Sequence, residues 1–498
     1  MTLLMAVLFM ALAVDTGRLW MQQRKLQSIA DMSAIEAARK IGCNADENTV
    51  MAAAQAAATR NGYNGQLSAN PNRVQLGSVA TNSGIWQFSD DSGHEAVRVY
   101  ATQSVPASLV AGGLFGNQVL LNAEAVSAAD PSLVAFTAGS FLLNVDTENA
   151  ALMNALLGNL LGTSLNLSVL SYESLASANL TLANLLRVHG SASVDELLAT
   201  DMPLGALLDL IAQGVEDAGT ASSLASAALQ ELSSGITNND SIRLSDILTV
   251  STPNGDATAG LGINAFSLIT AVALFANEQS TVNLSIAGID AGITITQAPL
   301  LAVGPSDGNN CTVARTAQLS VGVSASVAGI LNVMLNAAVA QGTAELTEFS
   351  NDGAGSHVVI AATPGVAAVN GSATVTVLSI PVSIGINLPV QTAVAEDLEF
   401  DVAHPVANHL PQMQTVASPL GGSLENALQQ GNILDIPALN FLLEPLVEPI
   451  VSTLLSPLLG QIGRVLLDPL LEMLGIRLGG MDVTLHGIQV RQARPLII

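Results

Sequence analysis

Met1-Thr2-Leu3-Leu4-Met5-Ala6-Val7-Leu8-Phe9-Met10-Ala11-Leu12-Ala13-Val14 runs directly into Asp15-Thr16-Gly17-Arg18-Leu19-Trp20. The opening run is apolar apart from Thr2, and as a helix it reaches about 21 Å, short of the ~30 Å hydrocarbon core of a bilayer. The helical pattern continues past it. Leu19, Trp20, Leu26, Ile29, Ala30, Ile35 and Ala37 carry an apolar face onward, so the spacing predicts one helix over residues 2–41. Met1, Leu4, Leu8 and Leu12 would lie in the membrane, with Trp20 at the interface where indole rings gather. Beyond Trp20, Gln22, Gln23, Gln27 and Asp31 read as outward-facing around a stripe containing Leu26 and Ile29, a contact face for other helices.

A retained anchor competes here with a cleaved signal peptide and with a soluble core helix. No basic stretch precedes the apolar run, and no A-x-A-like site closes it before Asp15, which favours the anchor. Arg18, Arg24, Lys25, Arg39 and Lys40 follow it. Alone, that flank would be placed in the cytoplasm, against the exported character of the rest. A start site upstream of Met1, with further basic residues, would reconcile the two.

Over 498 residues, 15 Lys and Arg face 40 Asp and Glu, a formal charge of −25. So acidic a chain has no basic surface to displace phosphate counterions, which argues against nucleic-acid binding. Aromatic residues make up 3 %, too few for stacking platforms, and charged residues 11 %, too few for a disordered solvating chain. Length calls for several structural units.

An α+β organisation follows from the periodicities. Residues 1–42 form the anchor and juxtamembrane helix. Residues 43–130 hold a short helix (49–60) and β-prone runs at 74–79, 96–102 and 119–125, a pilin-like pattern of long helix plus small antiparallel sheet. Residues 131–260 are rich in Leu and Ala with short helical stripes such as Leu152, Leu156, Leu157 and Leu160. Residues 261–402 alternate with period two, as in Leu319, Val321 and Val323, and form a β-rich domain. Residues 403–432 read as a linker, 433–480 as proline-segmented helices and 481–498 as a closing strand. In 433–480 a twelve-residue repeat recurs: Leu442-Leu443-Glu444-Pro445, Leu454-Leu455-Ser456-Pro457, Leu466-Leu467-Asp468-Pro469. With Ser456 and Asp468 as N-caps, each proline would restart a helix of about ten residues.

Chemistry is scarce. Gly304-Pro305-Ser306-Asp307-Gly308 fits the G-x-S-x-G pattern, but in turn-like rather than strand–turn–helix context. His404 and His409 follow Asp397, Glu399 and Asp401, whose alternation with Leu398, Phe400 and Val402 marks a solvated strand face. Asp90, Asp91, His94 and Glu95 lack EF-hand spacing. Cys43 and Cys311 could form a long-range disulfide or remain separate thiols. No catalytic, cofactor or metal site is expected.

One family does show through. Ala13-Val14-Asp15-Thr16-Gly17-Arg18-Leu19, Leu26-Gln27 and Ala30-Asp31-Met32-Ser33-Ala34 resemble the amino-terminal signature of TadG-like proteins of the Tad/Flp pilus assembly system. Ala96-Val97-Arg98-Val99, Val105-Pro106, Leu114-Phe115-Gly116, Ala123-Glu124-Ala125 and the tail Leu478-Gly479-Gly480-Met481-Asp482-Val483-Thr484 agree with it. The resemblance implies a non-catalytic scaffold of the bacterial inner membrane, single-pass, with the bulk periplasmic or extracytoplasmic. Its partners would be other pilus-assembly proteins and pilin-like subunits. Asp31-Met32-Ser33-Ala34 departs from the Asp-x-Ser-x-Ser metal motif of members with a von Willebrand-type domain, so no such site is expected. An envelope hydrolase and a secreted adhesin released by signal cleavage are the rival readings.

Overall fold

The computed structural model describes the chain except residues 1, 42–46, 83–84, 91–95, 109–117, 129–131, 140–146, 221, 235, 237–239, 252–257, 287, 306–311, 352–353, 366, 378, 389–393, 417–433, 436–446, 448, 474–475, 478–479, 491–493 and 497–498. Cys43, Cys311, Ser306 and the first copy of the Leu-Pro repeat therefore lie outside the described residues. So do Asp91, His94 and Glu95.

Helix α1 spans Thr2–Ala38 and helix α2 spans Glu47–Arg60. Strands β1 (Arg73–Asn82), β2 (Ile85–Ser89), β3 (Ala96–Pro106) and β4 (Gln118–Ala128) follow. They form an antiparallel sheet in the order β2-β1-β3-β4, with the strand Arg494–Leu496 added at the β4 edge. The carboxyl half of α1 lies across β3 and β4. Leu26, Ile29, Ala30, Ala34 and Ala37 meet Val97, Val99, Ala101 and Ala123, while Val50, Ala54 and Ala58 of α2 close the side. Alanines on both helices let the two backbones approach closely. At Gly77 β1 passes from pairing with β3 to pairing with β2, and a side chain there would strike the Ser89 carbonyl.

The next strand, β5 (Leu133–Ala138), is buried on both faces. It sits within a second sheet ordered Gln412–Val416, Gly480–Gln489, β5, Leu301–Gly304, Leu248–Val250. One face packs on a four-stranded sheet, where Phe136 and Val483 meet Ile360 and Phe400. The other faces a larger core shared by the helices of 147–275 and a seven-stranded antiparallel sheet whose outer strands are Thr281–Ile286 and Leu434–Asp435. These sheets join stretches that composition separates.

Short helices dominate residues 147–275 because caps interrupt them. Ser168, Thr181, Ser193, Ser222 and Asn264 each accept a bond from the first turn of the helix they open. Ala265–Leu274 is buried on every side, as a central helix should be.

The proline repeat does not restart its helices. Ser456 and Asp468 adopt right-handed helical angles instead of the extended form of an N-cap. A π turn precedes each proline, Val451–Leu455 and Gly463–Leu467. In these turns the N–H groups of Ser456 and Asp468 reach back five residues, to the carbonyls of Val451 and Gly463. The widened coil draws away the carbonyl that a proline ring would meet, so the helix continues. Val451–Leu471 is the one helix among the described residues long and apolar enough to cross a membrane; 61 % of it is buried within the fold. Leu455, Ile462, Leu466 and Leu470 belong to the large core.

Candidate functional site: the long helix and its fastening

Helix α1 has two halves of opposite character. Met5, Phe9, Met10, Leu12 and Val14 are exposed, Phe9 at 66 %, whereas Leu26 has no exposed area at all. The side chains of Leu4 and Leu8 are outside the described residues. Trp20 is 60 % exposed, with the Arg24 guanidinium over its ring at 4.9 Å.

Asp15 marks the change. It is buried, and its carboxylate accepts a hydrogen bond from Ser108 Oγ just beyond β3. One turn later Arg18 Nη2 donates to the Pro106 carbonyl. Its Nε is shut off from solvent without a partner among the described residues. Signature residues Asp15 and Arg18 thus fasten the helix to the end of β3. Gly17 meets no steric demand, with nothing near a would-be side chain.

Further along, the expectation of outward-facing glutamines is corrected. Gln23 Nε2 donates to the Asn122 carbonyl and Gln27 Nε2 to that of Glu124, 2.8 Å away. Both cap the β4 edge, because a strand edge carries backbone acceptors that need partners. Gln27 also donates to Asp31 Oδ1 at 2.9 Å, and Ser33 donates to the Ile29 carbonyl at 2.7 Å. Leu26 and Ile29, read as a contact face for other helices, are core residues of the chain's own sheet. The exposed apolar side chains are others: Met5, Phe9, Met10, Leu12 and Val14 before Asp15, and Trp20, Met21 and Met32 after it.

Elsewhere, Asp397, Glu399 and Asp401 stand on the outer face of the four-stranded sheet while Leu398, Phe400 and Val402 are buried. His357 on the neighbouring strand joins Asp401 at 2.7 Å, and that hydrogen bond raises its pKa. His404 instead meets Asn351 at 3.0 Å. No cluster of three or more metal-ligating side chains exists among the described residues.

One polar row escaped the sequence reading. Asp482 and Thr484 are buried and His486 half-buried along Gly480–Gln489. The Asp482 carboxylate accepts from Thr415 at 2.6 Å, and His486 Nε2 lies 3.0 Å from Thr137 Oγ1. A register shift between Leu485 and Gly487 makes His486 a bulge residue. Thr484 Oγ1 and His486 Nδ1 are buried without partners among the described residues. Burial pushes the His486 pKa down to about 4, so the ring is neutral at ordinary pH. The signal was Asp-x-Thr-x-His on an otherwise apolar strand.

Helix α1 thus exposes Met5, Phe9, Met10, Leu12 and Val14 early and packs Leu26, Ile29 and Ala30 on a small antiparallel sheet later. Family models agree: residues 1–40 match the Flp pilus-assembly TadE/G-like model and residues 36–127 the Tad-like Flp pilus-assembly model. Over residues 1–127 the chain is therefore similar to TadE/G-like proteins of Tad/Flp pilus assembly. A third model, DUF8293, a domain of unknown function, covers residues 149–276. No curated protein and no solved structure matches the chain.

Proposed function

We propose that the protein is a non-catalytic scaffold of Tad/Flp pilus assembly, held in the bacterial inner membrane by the first half of α1 and carrying its distal sheets outside the cytoplasm. One observation carries this reading: Met5, Phe9, Met10, Leu12 and Val14 are exposed, while the same helix buries Leu26, Ile29, Ala30, Ala34 and Ala37 against its own sheet. Exposed apolar surface on a helix invites lipid or other membrane helices. Trp20 with Arg24 suits the interface, and Asp15, tied to Ser108, sits at the point where the helix enters the folded module. Other pilus-assembly proteins and pilin-like subunits are the partners of this reading. No nucleic acid enters it.

Protease added to spheroplasts tests the topology. Digestion of residues 42–498 leaving a membrane-protected amino-terminal fragment is expected. Protection of the whole chain would reverse the orientation, and full release into the soluble fraction would remove the anchor.

A further inference from the structure

Two strands, not one, pass from the amino-terminal sheet to the second sheet. β4 ends at Ala128 and β5 begins at Leu133; returning, Gly480–Gln489 ends beside β5 and Arg494–Leu496 begins beside β4. Ala128 faces Arg494 and Leu133 faces Gln489, antiparallel in both places. The same two stretches of chain therefore leave one sheet as neighbours and enter the next as neighbours. Arg494–Leu496 also lies against α1. Pro495, opposite Ser127, fits an edge strand, where a missing N–H can point away from the ladder.

We infer that Arg494–Leu496 is a pin that fixes the pilin-like module to the distal body, so that α1 and the distal sheets turn as one lever. A single connection between Ala128 and Leu133 would by itself leave rotation between the two sheets unconstrained. A second strand, hydrogen-bonded to the first where each sheet begins, removes rotation about that connection. The pin touches sheet and helix together, so load on the distal body reaches α1 through two paths.

The test uses the whole chain in lipid nanodiscs, with Cys43 and Cys311 replaced by serine and nitroxides at Ser89→Cys and Ser326→Cys, both exposed positions. Double electron–electron resonance should give one narrow distance distribution. A chain stopped before Arg494 should broaden it by roughly twofold or more. Should that chain fail to fold, Leu496→Pro keeps the length, removes one amide of the pin and should broaden the distribution likewise. Hydrogen exchange on the unaltered chain is independent of both. Protection of the Val126–Ala128 amides within about tenfold of Val134 is expected. Unchanged width in the variants, or exchange at Val126–Ala128 as fast as in an unstructured peptide, overturns the inference.

Discussion

Gln27 Nε2 lies 2.8 Å from the carbonyl oxygen of Glu124, so a helix side chain completes a bond that a further strand would otherwise make. Gln23 does the same for Asn122 one helical turn earlier. The edge of β4 is thereby closed along part of its length by α1 and at its end by Arg494–Leu496. Exposed edges recruit other chains unless managed in such ways.

Replacing both Gln23 and Gln27 by Ala should cost about 1 kcal/mol per lost hydrogen bond. It should also make the protein associate with rising concentration. Denaturant midpoints and sedimentation velocity read the two effects; a monomer of unaltered midpoint would show that the glutamines cap nothing of consequence.

The two halves of α1 should respond oppositely to charge. Leu26→Asp buries an unpaired carboxylate among Val99, Ala101 and their neighbours, and should destabilise the module by about 4 kcal/mol or more. Phe9→Asp touches no core, so the melting temperature of the folded module should hold while carbonate-resistant membrane association weakens. Equal effects from both variants would contradict the division at Asp15.

Acid should weaken the protein through His486. Its folded pKa is about 4, against about 6.5 when free. Between these values the unfolded chain takes up a proton that the folded chain refuses. Stability is therefore complete above the free value and falls as pH drops towards 4, by on the order of 2 kcal/mol at pH 5. His486→Gln should flatten that part of the profile. His357, its pKa raised by Asp401, acts in the opposite sense, adding stability at low pH that is lost as pH rises. His357→Gln is accordingly the control. A wild-type profile without decline between pH 6.5 and 5 would mean that His486 protonates freely.

Asn154 should matter more than any surface charge. Its amide donates to the Leu167 carbonyl and accepts from the Leu167 N–H, while Tyr172 Oη donates to its Oδ1, each at 2.9 Å. Asn154→Ala strands three polar groups in a half-buried setting and should cost roughly 2–4 kcal/mol in thermal or chemical unfolding. Burial, then the nearby Glu231 charge, raises the Tyr172 pKa. Phenolate absorbance in alkali should therefore appear only on unfolding.

Much of this was readable from residues alone. Alternation at Leu398, Phe400 and Val402 fixed which side of that strand is solvated, and the stripe Leu152, Leu156, Leu157 and Leu160 marked a buried helix face. The long helix announced itself by its apolar spacing. What packs against such a stripe is another matter. Leu26 and Ile29 carry the same signal whether they meet a partner helix or their own sheet, and only the arrival of β3 and β4 decides it. Proline chemistry misled for a related reason: local rules favour a restart at Pro457 and Pro469, while core packing of Leu458, Leu466 and Leu470 holds the helix together through π turns. The Asp482, Thr484 and His486 row was hidden because pairing of that strand with β5 spans most of the chain.

That pairing has a temporal consequence. Ala138 finds its partner Val483 only after about 345 further residues have been made, which at 5–20 residues per second takes roughly 20–70 s. Until then β5 has a vacant neighbour on one side, and the β4 end waits equally long for Arg494. Sequence separation of this size makes late closure slow as well. During synthesis the protein must therefore pass through a long-lived open form with two unpaired strand edges, the state in which a holding chaperone would find it.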